Sequence, residues 1–423
     1  MSLDDAVLSV GGNDMQRSTC PRSSMPGRTP ALSVLHVLPS LDPRTGGVAE
    51  AVVQLVKHMR QFGCMGDVAT LDSPDGAAFD RVCGDVYRLG PGRGFYGLSR
   101  KLAHWIRRHA DDYDAIIVHG IWQFHSVAAR IAVAGKQVPL LVFPHGMLDP
   151  WFQRSYPAKH IKKVVYWNLL ERWVFRRANA ILFTCQAELD LARRPFLSDA
   201  LPLRVNGFGI EPVPVEIDES MFRDAYPELE GKRVLLFLSR IHEKKGCDLL
   251  IRAFARVASQ DADLRLVIAG PGDDGLIQRL RIEARSLGVD GQVVWTGMLS
   301  GNLKWAALRA AELFVLPSHQ ENFGIAVVEA LASGTPVLTT DRVNIWKEIE
   351  TSGGGWICPD TTDGVAEALA RWMRTTAAER YAMRELALDT FRKHFRVEAA
   401  ARELTEIITE IRRSVSGKGS MAR

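Results

Sequence analysis

The chain has 423 residues, more than one ordinary domain and about right for two or three. Hydrophobic residues make up 47% and charged residues 24%, the balance of a soluble globular protein. The net charge of +4 is too small to say anything of partners, and no apolar run reaches the roughly 18 residues of a spanning helix.

Residues 1–30 lack a basic start followed by an apolar core, so they do not read as a signal peptide; their Ser, Pro, Gly and Arg content reads as a disordered leader. "LSVLHVLPS" then reads as a buried strand, and "LDPRTGGVAEAVVQLVKHMRQFG" as a loop and a helix closed by Gly63. "DVATL", "YDAIIVHG", "PLLVFPHG" and "NAILFTC" follow as strands, the second and third ending in His-Gly with a helical stretch between them. Pro and Gly accumulate in residues 207–231 and periodicity lapses, which marks a linker. The alternation restarts with the strands "RVLLFLSR", "LRLVIAG", "QVVWTG", "LFVLPS" and "PVLTT", each separated from the next by a helix. Residues 364–413 read as helical throughout. The expected fold is α/β: two doubly wound Rossmann-like domains, 31–206 and 232–385, facing across a cleft. A C-terminal helical tail, 386–423, is expected to pack back on the first. Six cysteines without CxxC spacing argue against a zinc site and a disulfide framework, and favour a reducing compartment.

Ligands of open parallel sheets bind beyond the carboxyl ends of the strands. There, "SRIHEKKG" offers two cations, Arg240 and Lys245, suited to a diphosphate or simply to a solvated loop. Gly46 and Gly47 precede a helix, where backbone amides favour an anion. His145 in "FPHGMLDPW" ends a strand and suits a sugar hydroxyl, acid–base work or a packing role. His119 and Trp122 in "HGIW" stand one βα unit earlier as further candidates. "GPGDDG" matches G-x-G-x-x-G, but its acidic partner is misplaced and it lies in the second strand of its half, so it reads as a turn. In "SHQENFGIAVVEALASG", Glu321 falls in the loop, the helix is expected to start near Phe323 or Gly324 with Asn322 as cap, and Glu329 lies inside it. A carboxylate in so apolar a helix must be paired or hydrogen-bonded, by vicinal ribose hydroxyls or by a structural Arg or Lys.

Arg240–Lys245, the Glu321-x7-Glu329 pair, Gly46-Gly47 and His145 together resemble the retaining family 4 glycosyltransferases with two Rossmann-like domains, the GT-B fold. "HGIWQFHS", "PHGMLDPW" and "VNIWKEIE" further resemble a bacterial subgroup of exopolysaccharide, capsule or O-antigen (lipopolysaccharide) assembly. The resemblance implies a metal-independent hexosyltransferase without cofactor, whose donor is a UDP- or GDP-sugar and whose acceptor is a glycan or a lipid-linked molecule. It implies that Arg240 and Lys245 neutralise the diphosphate and that Glu329 holds the ribose. The backbone of Asn322, Phe323 and Gly324 would meet sugar and phosphate, and Gly46 and Gly47 would let the first domain close on the donor. Glu321 and His145 would contact the transferred sugar at the reacting end. A sugar-nucleotide epimerase or a non-catalytic sugar-nucleotide-binding protein on the same fold is the alternative.

Residues 151–179 are strongly basic and aromatic. Lys159, Lys162, Lys163, Trp167, Arg176 and Arg177 could meet an anionic membrane surface or a lipid-linked diphosphate; equally, the aromatics could pack inward. The patch is local and no binding motif accompanies it, which argues against nucleic acid. The expected location is the cytoplasm, with peripheral contact at the inner face of the membrane.

Overall fold

The computed structural model describes residues 15–16, 32–42, 47–76, 79, 81–151, 157–193, 196–197 and 200–421. They form two compact units, one running to Gly207 and taking in Val397 onward, the other spanning Phe208–Arg396.

The first unit holds an eight-stranded sheet of β1 (Met15–Gln16), β2 (Leu32–Leu38), β3 (Cys64–Thr70), β4 (Val86–Arg88), β5 (Ala115–His119), β6 (Leu140–Phe143), β7 (Ala180–Phe183) and β8 (Leu203–Val205). Their order is β1-β4-β3-β2-β5-β6-β7-β8. Only β1 runs antiparallel; it pairs Met15 with Tyr87 and Gln16 with Val86, so the expected leader supplies a short edge strand. Strands β5, β6 and β7 are buried at every residue, as a sheet covered on both faces requires. Leu35, Val37, Ile116 and Val118 point to one core with Leu102, Ile106 and Ala128. Val34, Ala115, Ile117 and Leu141 point to the other, with Leu55 and Met59 of helix Gly47–Met59. Ala401, Leu404 and Ile408 of helix Val397–Met421 complete that second core with helical spacing.

The second unit holds a six-stranded parallel sheet: β9 (Arg233–Leu238), β10 (Leu264–Ala269), β11 (Val293–Gly297), β12 (Leu313–Leu316), β13 (Val337–Thr340) and β14 (Gly355–Cys358), ordered β11-β10-β9-β12-β13-β14. Both sheets share one device. The chain starts in the middle, winds outward, then returns to wind the other way, so the order reverses between β2 and β5 in one unit and between β9 and β12 in the other. Such reversal points open a crevice at the strand ends.

Three differences from the sequence reading have local causes. Strands β4, β8 and β14 are three or four residues long and carry too little pattern to be read. The 207–231 stretch includes helix Ser220–Ala225, and Phe222 and Leu229 are fully buried, so it belongs to the second unit. The C-terminal region is three helices, Thr362–Met373, Ala377–His394 and Val397–Met421. Thr376 and Glu379 form a capping box that restarts the second, and the passage between units falls at 396–397. Cys83 is disulfide-bonded, while Cys64, Cys185, Cys247 and Cys358 are buried thiols outside any disulfide. Spacing along the chain does not report which thiols the fold brings together.

Candidate active site

In the second unit the reversal point sets the loop after β9 beside the loop after β12. The first passes exposed Arg240 and a single turn, Glu243–Lys245, before helix Cys247–Ala255. His242 caps that turn by accepting from the Lys244 N–H (3.2 Å). Gly246 has φ +68°, and a Cβ there would lie 2.0 Å from the Pro317 carbonyl oxygen, so only glycine lets the two loops meet. The His319 N–H donates to the Lys244 carbonyl (2.8 Å) across the junction. The Lys245 ammonium is thereby set against the Glu321 carboxylate, both side chains largely buried. Burial, with Lys244 and Arg240 nearby, pushes Lys245 down to about 7, and the adjacent Glu321 carboxylate opposes that fall.

The Glu321 backbone is held from its other side. Its N–H donates to the Arg342 carbonyl (3.0 Å), and its carbonyl accepts from the Asn344 N–H (3.0 Å). Asn322 accepts from the Asn344 side chain (3.2 Å), and so does not cap the helix as expected. The cap is Gly324 at φ +72°, whose left-handed turn feeds helix Ile325–Ala332. Phe323 is buried against Phe208 and Phe395, at 5.0 and 5.8 Å between rings. The start of this helix lies against Glu321, since a Cβ on Gly324 would sit 3.3 Å from Glu321 Cγ, and the amides that open a helix favour an anion.

Glu329 meets Lys304 at 2.6 Å. The buried carboxylate of the apolar helix thus has a structural cation, from helix Gly301–Ala310, which the sequence reading left open and did not identify. Replacing Lys304 with alanine is expected to cost about 1–3 kcal/mol of stability, because the carboxylate keeps its burial and loses its charged donor. Urea unfolding checks this; an unchanged midpoint would show that the pair contributes nothing. The G-x-G-x-x-G match is a turn. Gly270 and Gly272 let β9 and β10 close up, since a Cβ would sit 1.9 Å from the Ser239 carbonyl or 2.7 Å from Ile241 Cβ, and Asp273 caps helix Asp274–Ser286.

In the first unit the strand ends carry two strained residues. Trp122 and His145 have φ of +71° and +50°, the positive-φ residues that are not glycine among the described residues. Such strain persists only where the surroundings enforce it. Two buried carboxylates do so. Glu171 accepts from the Trp122 N–H and the Ser126 hydroxyl, both at 2.8 Å. Glu188 accepts from the Gly146 N–H (2.6 Å) and from the N–H and hydroxyl of Thr184 (2.7 and 2.6 Å). Burial pushes the Glu171 carboxyl up to about 7, against the pull of its two donors. It sits at the end of a π-helical stretch, Trp167–Glu171, inserted in the long basic helix. Such insertions are frequent at functional sites.

His145 faces His119 at 3.0 Å (Nε2 to Nδ1), and His119 faces His36 at 2.9 Å (Nε2 to Nδ1). Burial pushes His36 and His145 down to about 3, and His119 well down. The Trp122 indole donates to the Met147 carbonyl (3.0 Å) and lies under the Lys163 ammonium at 5.2 Å. Gly47 starts its helix in an exposed position, whereas Gly46 lies outside the described residues.

The basic stretch divides differently from expectation. Trp167 is buried against Phe175 and Phe196. Arg177 donates to the carbonyls of Lys136 and Val138. Lys162 and Arg176 are exposed, and the Lys159 side chain lies outside the described residues. Exposed apolar side chains include Ile161, Val165, Leu169 and Trp173, each four residues on, and Leu170 beside them, with Arg172 and Arg176 over the Trp173 ring. Sequence reasoning missed Lys304, Glu188 and His36, and gave Glu171 no role. A lone histidine inside the apolar run "LSVLHVL" was the signal for His36.

Among the described residues no group of three or more His, Cys, Asp or Glu could hold a metal, and no helix is long and apolar enough to cross a membrane.

Residues 218–387 match the family described as glycosyl transferases group 1, and residues 46–209 the glycosyl transferase 4-like domain. The chain is 28% identical to mannosylfructose-phosphate synthase of Agrobacterium fabrum over 72% of this chain and 73% of that one. It is also 28% identical to phosphatidyl-myo-inositol mannosyltransferase of Mycolicibacterium smegmatis, over 77% and 80%. Among solved structures, Anabaena HepE in complex with UDP and glucose superposes with a TM-score of 0.72 at 19% identity, over 90% of this chain and all of that one. The lipopolysaccharide glycosyltransferase WaaG superposes at 0.62 and 17% identity, over 89% and 99%. The two matched domains, in the order that the two sheets follow, show that the chain belongs to the glycosyltransferases of the GT-B fold.

Proposed function

We propose that the protein moves a hexosyl group from a UDP- or GDP-sugar to a glycan or lipid-linked acceptor, with retention of configuration, in the synthesis of a cell-surface polysaccharide. The observation that carries this reading is the convergence of Arg240, Lys245, Glu321 and the start of helix Ile325–Ala332 at the second unit's reversal point. In the reaction the bond from the anomeric carbon to the phosphate oxygen breaks, and the acceptor oxygen bonds to the same face of that carbon. The acceptor's proton leaves on the phosphate. Negative charge grows on the departing diphosphate, and two cations with first-turn amides are fixed donors for it. Glu321 orients the sugar hydroxyls and holds Lys245. A nucleotide-sugar donor is supported by the Anabaena neighbour, which was also solved with UDP-glucose. Hexosyl transfer is supported by the two mannose-handling relatives.

Thermal-shift measurements with UDP-, GDP- and ADP-sugars against NAD test the donor, followed by radiolabel transfer to membrane lipid extracts. Stabilisation by NAD alone, or by no nucleotide sugar, would sink the reading.

Peripheral membrane contact is part of the same proposal. The surface that fits is the stripe Ile161, Val165, Leu169 and Trp173 flanked by Lys162, Arg172 and Arg176, which matches an anionic bilayer in both apolar face and charge. Co-sedimentation with vesicles rich in anionic lipid is expected at low salt and is expected to drop at least tenfold in Leu169→Glu/Trp173→Glu. Equal binding by the double variant would place the contact elsewhere.

A further inference from the structure

Three loops at the carboxyl ends of the second unit's strands meet at His319. The residue belongs to the loop after β12, two positions before Glu321. Its backbone N–H donates to the Lys244 carbonyl in the loop after β9 (2.8 Å). Its ring stands against Asp360 in the loop after β14, with Nδ1 2.7 Å from Oδ1 and both side chains mostly buried. One residue therefore ties the β9 loop to the β14 loop, past the end of β13.

Asp360 stands on fixed ground. The Thr361 N–H donates to the Pro359 carbonyl (2.8 Å), and the Thr361 hydroxyl caps helix Thr362–Met373. A Cβ on Gly364 would lie 2.7 Å from the Pro359 carbonyl oxygen, so that helix starts tight against the loop carrying Asp360. Asp360 Oδ1 has no well-aligned hydrogen bond among the described residues, so its contact with His319 holds as an ion pair. Contact with Asp360 keeps the ring above its ordinary value against the pull of burial. The charges of Asp360 and of Asp248, in the first turn of helix Cys247–Ala255, act in the same direction.

Lys245 lies between two fastenings to the loop after β12. On one side the Lys244 carbonyl takes the His319 N–H; on the other Gly246 presses on Pro317. The second is a contact of backbone with backbone. The first goes wherever residue 319 goes. We infer that His319 is a positioning residue: its ring, braced on Asp360, fixes the backbone of residue 319 and through it the turn that presents Lys245 to the donor diphosphate. A lysine on a single short turn gains most from such a brace, because a donor to a developing charge works only when it is already in place. The inference rests on the proposed reaction for the task of Lys245, but not for the brace.

The test uses the full chain, first without ligand. Asp360→Asn keeps the His319 amide and removes the charge that anchors the ring. It is expected to speed hydrogen exchange of that amide about tenfold. The ring's C2–H proton signal is expected to titrate above 6.5 in the unaltered protein and closer to 6.5 in the variant. Calorimetric titration with UDP and with GDP is expected to show affinity about tenfold lower in His319→Leu and in Asp360→Asn, with no further loss in the double variant. In a Lys245→Ala background His319→Leu is expected to change affinity by about twofold at most, because it acts through the lysine. A merely structural role would lower affinity equally in both backgrounds. Should His319→Leu fail to fold, Asp360→Asn carries the same comparisons. Amide exchange that Asp360→Asn leaves unaltered, or an equal loss of affinity with and without Lys245, overturns the inference. Absence of nucleotide binding by the unaltered protein would instead sink the proposed reaction, and the exchange measurement would still decide the brace.

Discussion

Replacing Lys245 with alanine is expected to lower kcat/KM for the nucleotide sugar by about 10²–10³-fold, the usual loss when one preorganised donor to a developing charge is removed. Two effects combine. The ammonium disappears from a largely buried position where water screens it poorly, and Glu321 remains with no cation against it. A carboxylate then faces the diphosphate that it formerly helped to bind. Arg240→Ala is expected to cost less, about tenfold, because Arg240 is exposed and its charge is solvated. Donor affinity should also fall as pH rises. Lys245 sits near 7 in the free protein, so its charge is present below that pH and lost above it, although a bound diphosphate extends the charged range upward. Steady-state kinetics and donor titrations from pH 6 to 9 check both statements. Unaltered kcat/KM in Lys245→Ala would remove the lysine from the site.

Glu171 is expected to show the second large effect, on stability. Its folded-state carboxyl is raised to about 7 from an ordinary 4.5. The folded protein therefore binds the extra proton between those values, and the contribution is fully present below 4.5 and lost as pH rises through 7. The swing is roughly 3 kcal/mol at about 1.4 kcal/mol per pKa unit. His36, His119, His125 and His145 are depressed and give the opposite slope below 6.5, so the quantity to measure is the difference between variant and parent. Stability of Glu171→Gln relative to the parent is expected to rise by roughly 2.5 kcal/mol from pH 5 to pH 8. Glu171→Leu is expected to lose about 1–3 kcal/mol at either pH, because the Trp122 N–H is left buried without its acceptor, whereas the Ser126 hydroxyl keeps the Gln123 carbonyl at 2.9 Å. Urea unfolding at the two pH values reads these differences. A glutamine variant that tracks its parent across the range would show that Glu171 is ionised throughout.

The two residues were unequally legible. Lys245 could be found from sequence because the chemistry of its loop is local: a strand, an arginine, four residues, a lysine and a glycine. The glycine proves as informative as the cations, since Gly246 permits the approach to Pro317 that sets Lys245 against Glu321. Glu171 could not be found in that way. In sequence it is one acid among seven cations, and nothing in its neighbours foretells that a π-helical insertion turns it inward to a tryptophan 49 positions earlier. Glu188 pins the His145–Gly146 peptide from 42 positions on, which is equally invisible to spacing. Glu329 was the intermediate case. Its apolar helix required a partner, and only the packing of helix Gly301–Ala310 supplied the name Lys304.

By itself the sequence determined the class of fold, the two α/β halves, the strand ends worth inspecting and the family. All of these are written in hydrophobic period and in short local motifs, which depend on neighbours along the chain. The tertiary structure alone decided which strand ends adjoin, because the reversal of strand order is a property of crossover connections. It also decided which side chains are inside. Trp167 and Arg177 look like surface residues in sequence and are respectively buried and bound to backbone carbonyls, while Leu169 and Trp173 carry the exposed face. The protonation of Glu171, Lys245 and the histidine chain belongs to the same category. Desolvation and through-space contacts set it, and neither is a function of position along the chain.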